Sequence, residues 1–306
     1  MQSHQKIKTQ ALSINETMLS KATIKRIRSL ELKKFRRQSG LFVAEGPKVV
    51  GDLLAVTTAC ELFATAEWLR EHQRLVEEKP MSLDAESAVW GAKSGKTTTV
   101  TEVSDEELRR LSFLQHPQQV LATFPIPASP PTPLQVERGD LIANSQLSTI
   151  NYQLSLALDG IQDPGNLGTI IRMADWFGIE TIFCSPDTAD AYAPKVVQAT
   201  MGSIARVRII YQNLDELIDS LPPDFPVYGT LLDGNDLYAE KLTPHGLIVM
   251  GNEGNGISEE IRRKINRRLL IPHFPEDRAT ADSLNVAIAT AITCAEFRRQ
   301  QRQSTP

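Results

Sequence analysis

Residues 154–184 read LSLALDGIQDPGNLGTIIRMADWFGIETIFC, and this segment decides the fold of the second half of the chain. The apolar run Leu154–Leu158 predicts a buried strand that passes into the glycine-rich loop Asp159–Gly168. Helical spacing of apolar residues then predicts a helix over Thr169–Phe177, and a second apolar run predicts a strand at Thr181–Cys184. Because strand, loop, helix and strand follow one another, the segment predicts a parallel sheet.

The same alternation continues along the rest of the chain, so the second domain is expected to be an α/β sheet protein over residues 154–306. Apolar runs predict further strands at Ala205–Ile210, Val227–Leu231, Leu247–Met250 and Leu269–Ile271. Amphipathic spacing predicts helices at Lys195–Met201, Leu214–Ser220, Ser258–Asn266 and Leu284–Arg299.

The earlier part of the chain has a smaller α/β pattern of its own, at residues 18–124. Its predicted elements are a basic helix at Met18–Arg28, strands at Leu41–Ala44 and Val120–Phe124, and helices at Gly46–Ala55 and Ser104–Leu114. Five prolines within nine residues follow, from Pro125 to Pro133, and this density favours extended chain over helix or central strand. We therefore expect a polar tail at 1–17, and a proline-rich linker with a polar insertion at 125–153.

The distribution of charge is more informative than its sum. A net charge of −4 over 306 residues taken alone argues mildly against a nucleic-acid partner. Basic residues nevertheless crowd the early chain: Lys21, Lys25, Arg26, Arg28, Lys33, Lys34, Arg36, Arg37 and Lys48. Local positive charge of this kind suits phosphate binding, so the early domain is the predicted site of nucleic-acid contact, at Lys33, Lys34, Arg36 and Arg37.

The cysteines and histidines predict neither a disulfide framework nor a metal site. Cys60, Cys184 and Cys294 are widely spaced without a CxxC pair, and the five histidines lack metal-ligand spacing. No apolar run reaches membrane-spanning length, and the polar start lacks a signal-peptide core. We expect reduced thiols and a cytoplasmic protein without a metal cofactor.

Three separated segments share one design and predict one pocket. Each pairs an apolar run with tight backbone and small polar side chains, an arrangement that lets main-chain groups approach a ligand closely. The segments are Asp163-Pro164-Gly165-Asn166-Leu167-Gly168, Gly251-Asn252-Glu253-Gly254-Asn255-Gly256-Ile257-Ser258 and Ser283-Leu284-Asn285-Val286.

Each segment also has an ordinary structural explanation. The first lacks the GxGxxG or GK[ST] spacing of nucleotide-binding loops, and a glycine-rich turn without a ligand would account for it. Ser258 and Ser283 suit helix N-caps, and an arginine such as Arg172 commonly lies on a solvated helix face. The functional reading is that Asn166 and Arg172 lie at the same edge of the sheet, where they could hold a phosphate or a developing oxyanion.

These residues resemble the SpoU (TrmH-like) branch of the SPOUT RNA methyltransferases through three ordered motifs. The first is Asp163-Pro164-x-Asn166-x-Gly168-x-x-x-Arg172-x-Ala174; the second is Val249-Met250-Gly251-Asn252-Glu253-Gly254-x-Gly256-Ile257; the third is Ile271-Pro272 followed by Ser283-Leu284-Asn285-Val286. The early region resembles the family's substrate-binding domain through Lys34-x-Arg36-x-x-x-Gly40-x-Phe42-x-x-Glu45-Gly46. One departure is residues 273–282, a stretch longer than is usual in the family.

The resemblance implies a fold, a cofactor and partners. It implies a parallel-sheet SPOUT domain with a deep trefoil knot, a small L30e/L7Ae-like α/β substrate-binding domain, and a homodimer whose active site borrows residues from both subunits. S-adenosyl-L-methionine would be held by main chain and side chains around Thr230, Gly251, Asn252, Gly256, Ile271 and Leu284. Arg172, Asn166, Glu253, Ser283 and Asn285 would form the catalytic set.

The implied activity is methylation of a ribose 2′-hydroxyl, with large-subunit ribosomal RNA the first expectation. Transfer RNA is the alternative substrate, and a non-catalytic RNA-binding or assembly protein is the alternative function. A nicotinamide-dependent Rossmann enzyme would need a dinucleotide fingerprint, which the chain lacks.

Overall fold

The computed structural model describes residues 19–77, 98–127, 153–275 and 281–304. The chain divides into two compact units, Met1–Ile126 and Pro127–Pro306. The predicted polar tail and almost all of the predicted polar insertion at 139–153 lie outside the described residues.

The first unit is a four-stranded sheet with short helices. Its strands are β1 (Leu41–Glu45), β2 (Glu61–Ala64), β3 (Thr99–Glu102) and β4 (Val120–Pro125), in the order β1-β4-β2-β3. Strand β4 pairs antiparallel with β1 and β2, whereas β3 pairs parallel with β2. The helices are α1 (Lys21–Ser29), α2 (Lys33–Ser39), α3 (Pro47–Val56), α4 (Ala66–Glu71), α5 (Gln73–Glu77) and α6 (Asp105–Leu111).

Local sequence explains the ends of these helices. Ser104 caps α6 and forms a capping box with Glu107, so the predicted N-cap is confirmed. Gly40 ends α2 in the left-handed region at a φ of 67°. The predicted basic helix Met18–Arg28 corresponds to α1, whereas α2 is a second basic helix that was not predicted.

The second unit is a six-stranded sheet in which every pairing is parallel. Its strands are β5 (Leu154–Asp159), β6 (Thr181–Cys184), β7 (Arg208–Tyr211), β8 (Val227–Asp236), β9 (Gly246–Gly251) and β10 (Arg267–Leu270), in the order β10-β8-β9-β5-β6-β7. The helices are α7 (Pro164–Trp176), α8 (Pro194–Ala199), α9 (Leu214–Asp219), α10 (Glu259–Arg262) and α11 (Val286–Ser304), with a 3₁₀ turn at Ser203–Ala205. The predicted parallel sheet is confirmed.

The strand order reverses between β5 and β9, because the chain continues from β5 to β6 on one side and from β9 to β10 on the other. Open parallel sheets bind ligands outside the carboxyl ends of the strands at such a switch point. The loops that follow Asp159 and Gly251 leave the sheet at this place. The topology therefore selects this edge as the candidate site.

Helix α7 begins five residues earlier than predicted, so Asn166 lies on a helix and not in a glycine loop. Asp163 caps the helix by accepting a 2.7 Å hydrogen bond from the backbone N–H of Asn166, and Pro164 follows at the first helical position. Gly168 lies within α7 at a close contact with α8. A side chain would not fit there, because a Cβ would lie 2.4 Å from the Cβ of Ala199. The glycine serves close helix packing.

Two further helices differ from prediction at their ends. Helix α10 is one turn long, and its predicted cap Ser258 makes no side-chain capping bond. Helix α11 begins at Val286, so Ser283 is not its cap. The side-chain oxygen of Asn285 accepts instead from the backbone N–H groups of Ala287 at 2.9 Å and Ile288 at 3.3 Å. No helix in the described ranges is long and apolar enough to cross a membrane.

Candidate active site at the carboxyl edge of the parallel sheet

The loop after β9 is organised by one side chain, Asn252. Its amide nitrogen donates to the carbonyl of Gly160 at 2.7 Å, which ties the loops after β9 and β5 together across the switch point. Its amide oxygen accepts from the backbone N–H groups of Gly254 at 2.9 Å and Asn255 at 3.1 Å. Gly251 admits no side chain, because a Cβ would lie 2.3 Å from backbone atoms of Gly256 and Ile257. The loop is a closely packed backbone structure.

A chain of three side chains joins the three predicted segments. The amide of Asn285 donates to the side-chain oxygen of Asn166 at 3.0 Å, and the amide of Asn166 donates to Glu253 at 2.7 Å. The two amides have a fixed orientation, because the oxygen of Asn285 caps α11 and only its nitrogen is left to face Asn166. The structure therefore brings Asn166, Glu253 and Asn285 together, as one pocket requires.

Arg172 lies one and a half turns beyond Asn166 on α7 and is exposed. Its guanidinium forms no hydrogen bond or ion pair with the described residues. An exposed guanidinium without a partner keeps all five donors available for an anionic ligand. Ser283 is also exposed and forms no side-chain hydrogen bond with the other site residues in the described part of the chain.

The predicted cofactor residues lie at the carboxyl ends of neighbouring strands. The Thr230 hydroxyl is half-buried and donates to the sulfur of Met250 at 3.5 Å, across β8 and β9. Ile271 directly follows β10 and is half-buried, and Leu284 precedes α11 and is half exposed. Gly256 has a φ of 68°, which favours glycine at this turn. Residues 276–280 of the longer stretch lie outside the described residues.

One of the four predicted RNA contacts in the first unit, Arg36, is buried. Lys33, Lys34 and Arg37 are exposed on α2, but Arg36 is only 2% exposed. Its guanidinium donates to the backbone carbonyls of Leu30 and Glu31, both at 2.7 Å. Arg36 therefore fixes the corner between α1 and α2 and is not available to a surface ligand.

Neither buried thiol can serve as a nucleophile at neutral pH. Burial raises the pKa of the Cys294 thiol to about 12 and raises that of Cys184 still further. The described residues contain no group of three or more His, Cys, Asp or Glu side chains placed to hold a metal ion. The polar chemistry of this edge is that of amides, hydroxyls and carboxylates, with the exposed guanidinium of Arg172 on α7.

Asp159 also lies at this edge of the sheet, and it was not predicted as a site residue from the sequence. It ends β5, and its carboxylate accepts from the backbone N–H of Ser258 at 2.7 Å, which fixes the start of α10. The signal was an acidic residue at the carboxyl end of a buried strand in a parallel sheet, where ligands bind.

The fold and the site define an open α/β domain with polar side chains gathered at the switch point of its sheet. Two family models match the chain: the SpoU rRNA methylase family over residues 153–295 and the MRM3-like substrate-binding domain over residues 21–122. The chain belongs to the SpoU family of RNA methyltransferases.

Individual relatives agree with this assignment. A TrmH-family structure from Porphyromonas gingivalis is 36% identical, with a TM-score of 0.74 over 93% of this chain and 100% of that one. The AdoMet-bound rRNA methyltransferase from Sinorhizobium meliloti is 28% identical, with a TM-score of 0.70 over 92% and 96% of the two chains. The 23S rRNA (guanosine(2553)-2′-O)-methyltransferase RlmP of Bacillus subtilis is 34% identical over 53% of this chain and 63% of its own length.

Proposed function

We propose that the protein transfers a methyl group from S-adenosyl-L-methionine to a ribose 2′-hydroxyl, most directly in large-subunit ribosomal RNA. The observation that carries the proposal is the hydrogen-bonded chain from Asn285 through Asn166 to Glu253, beside the loop held by Asn252. Membership in an RNA methyltransferase family and the activities of the relatives support the same reaction.

The site residues have distinct proposed roles. Methyl transfer would break a sulfonium C–S bond, release S-adenosylhomocysteine and form a C–O bond, with the hydroxyl proton passing to solvent water, so both reactants need in-line placement. Asn166 and Asn285 would orient the ribose and the donor, since their amides are held in one orientation, and Glu253 would anchor that chain. Ser283 would join them from the same segment as Asn285.

Arg172 is proposed to act as a cation and not as a base. Arginine stays protonated in proteins, so its exposed guanidinium cannot accept the hydroxyl proton. It can bind an RNA phosphate or stabilise the developing alkoxide through charge-assisted hydrogen bonds. The lack of a partner among the described residues is consistent with a group reserved for substrate.

The residues at the carboxyl edge fit S-adenosyl-L-methionine. The donor offers an adenine and a ribose that hydrogen-bond to main chain, and the glycine-rich loop after β9 presents closely packed backbone. Ile271 and Leu284 add apolar surface, and Thr230 adds a hydroxyl. When bound, the donor would supply an electrophilic methyl group.

The finer architecture belongs to the proposal as well. We infer a deep trefoil knot around the ends of β8, β9 and β10, an L30e/L7Ae-like fold for the first unit, and a cytoplasmic location. We also infer a homodimer, and exposed apolar side chains at the start of α11, Leu284 and Ile288, support it. Analytical ultracentrifugation would reveal a monomer if the dimer is wrong.

Mapping of 2′-O-methyl groups tests the function directly. A strain that lacks the protein should lose one or a few such groups in large-subunit ribosomal RNA, and the purified protein should restore them with S-adenosyl-L-methionine. Loss confined to transfer RNA would select the alternative substrate. Intact methylation in both RNAs, together with calorimetry that shows no binding of S-adenosylhomocysteine, would reject the proposed function.

A further inference from the structure

Residues 230–234 of β8 leave the sheet and interrupt the pairing between β8 and β10, next to the proposed donor site. We call these five residues the β8 excursion. Arg268 of β10 pairs with Gly229, but the next residue, Leu269, pairs with Asn235. The pairing of β8 with β9 also ends at Gly229. In this described part of the sheet, the excursion therefore lacks ladder partners on both sides, and other contacts must define its shape.

One carboxylate connects the excursion to its neighbours. A single oxygen of Asp233 lies 2.8 Å from the guanidinium of Arg262 in α10 and 2.8 Å from that of Arg268 in β10. The excursion is otherwise fixed near its ends: Leu231 is buried, and a Cβ at Gly234 would lie 2.4 Å from the backbone of Leu269. Between these anchors, Leu232 is 79% exposed.

The three elements that meet at Asp233 contain or adjoin three of the segments that carry proposed donor contacts. The excursion begins with Thr230. Arg262 belongs to the helix that follows the Gly251–Gly256 loop, and Arg268 lies three residues before Ile271. A carboxylate shared by two arginines thus connects these segments.

We propose that Asp233, through Arg262 and Arg268, is a positioning residue that holds the β8 excursion in the shape needed to bind the methyl donor. The inference rests on the proposed function, because the donor contacts do. Asp233 acts through the backbone and does not touch the reacting atoms. Pre-positioning of a binding loop raises affinity because less ordering remains to be done on binding.

The test compares Asp233→Ala with the matched control Asp219→Ala. Asp219 is also an exposed carboxylate in an ion pair, with Lys264, but it lies at the end of α9. Calorimetry with S-adenosylhomocysteine should show roughly 3–10-fold weaker binding for Asp233→Ala and unchanged binding for Asp219→Ala. Asp233→Glu should recover part of the affinity.

Steady-state kinetics separates positioning from general damage. Asp233→Ala should raise KM for the donor with little change in kcat or in KM for RNA, and salt near 1 M should reduce the difference from wild type because the pairs are exposed. Hydrogen exchange of the segment 227–236 should be faster in Asp233→Ala than in Asp219→Ala.

Two failures are distinguishable. If the wild type binds S-adenosylhomocysteine and Asp233→Ala binds it equally well, the role of Asp233 is wrong and the proposed function stands. If the wild type does not bind S-adenosylhomocysteine, the proposed function is overturned, and the donor role of Asp233 falls with it.

Discussion

Charged motif residues of the two units, Arg36 and Glu45 in the first and Arg172 and Glu253 in the second, lie in opposite environments. In the first unit, Arg36 and Phe42 are buried and Glu45 is only 6% exposed, and each contacts its own unit. In the second unit, Arg172 and Glu253 are exposed at the edge of the sheet. These residues therefore hold the architecture of the first unit, whereas those of the second unit belong to the proposed ligand site, and substitutions should separate stability from activity accordingly.

Substitution of Arg172 should give the largest effect, and on activity alone. Arg172→Ala removes the guanidinium proposed to meet RNA, so methyl transfer to native RNA at saturating donor should fall about 10²–10³-fold. The melting temperature should not change, because the side chain is exposed and has no partner among the described residues. Arg302→Ala, an exposed arginine near the end of α11, is the control. Near-normal methylation by Arg172→Ala would contradict the role.

Arg36 should show the reverse pattern. Arg36→Met leaves the carbonyls of Leu30 and Glu31 without their donor in a buried corner, which should cost about 2–3 kcal/mol of the free energy of unfolding of the first unit. Arg37→Met changes an exposed neighbour and should cost almost nothing.

Urea unfolding followed by tryptophan fluorescence measures this difference. The chain has three tryptophans, and Trp176 is the one in the second unit, so a Trp176→Phe background confines the signal to the first unit. Equal costs for Arg36→Met and Arg37→Met would show that the corner does not depend on the buried guanidinium.

Asn285 both caps α11 and donates to Asn166, and substitutions can separate these two roles. Asn285→Asp keeps an oxygen to cap α11 but loses the N–H that donates to Asn166, so activity should fall about tenfold while the melting temperature holds. Asn285→Ala loses both and should also lose about 1 kcal/mol of stability. A stable, fully active Asn285→Asp variant would remove this hydrogen bond from the mechanism.

The exposed cations of α2 should have a smaller effect, on RNA binding. Arg37→Glu should weaken RNA binding about 3–10-fold at low salt, with the difference shrinking at high salt, because phosphate contacts are electrostatic. Donor affinity should not change. Arg70→Glu introduces the same charge on α4 and is the control. Equal RNA affinity in wild type and Arg37→Glu would move the RNA contacts elsewhere.

Sequence periodicity predicted the parallel sheet because buried strands are continuous apolar runs. It placed the start of α7 too late because Gly165 and Gly168 disfavour a helix, although Asp163-Pro164 is a start signal. The contacts of Asn166 span 87 residues to Glu253 and 119 to Asn285, and local patterns do not encode such pairings. The burial of Arg36 depends on the turn between α1 and α2, which its charge does not reveal, so the prediction that Arg36 contacts RNA was wrong.

The smallest expected effect is a pH dependence of the free energy of unfolding that comes from Glu45. Burial raises the pKa of its carboxyl above the ordinary 4.5, opposed by hydrogen bonds from the Ser112 hydroxyl and the Phe113 N–H and by the charge of Arg28. A raised pKa means that the folded state binds the proton more tightly than the unfolded state. The stability from this group is therefore complete below pH 4.5 and is lost as pH rises through the folded pKa.

Glu45→Gln cannot titrate, so the comparison with wild type isolates this group from every other. The free energy of unfolding of wild type minus that of Glu45→Gln should decrease as pH rises from 4 to 7, in the Trp176→Phe background. A difference that increases over this interval would mean that the hydrogen bonds and Arg28 outweigh burial. The Glu45 carboxylate would then be ionised in the folded protein and stabilised by its hydrogen-bond donors.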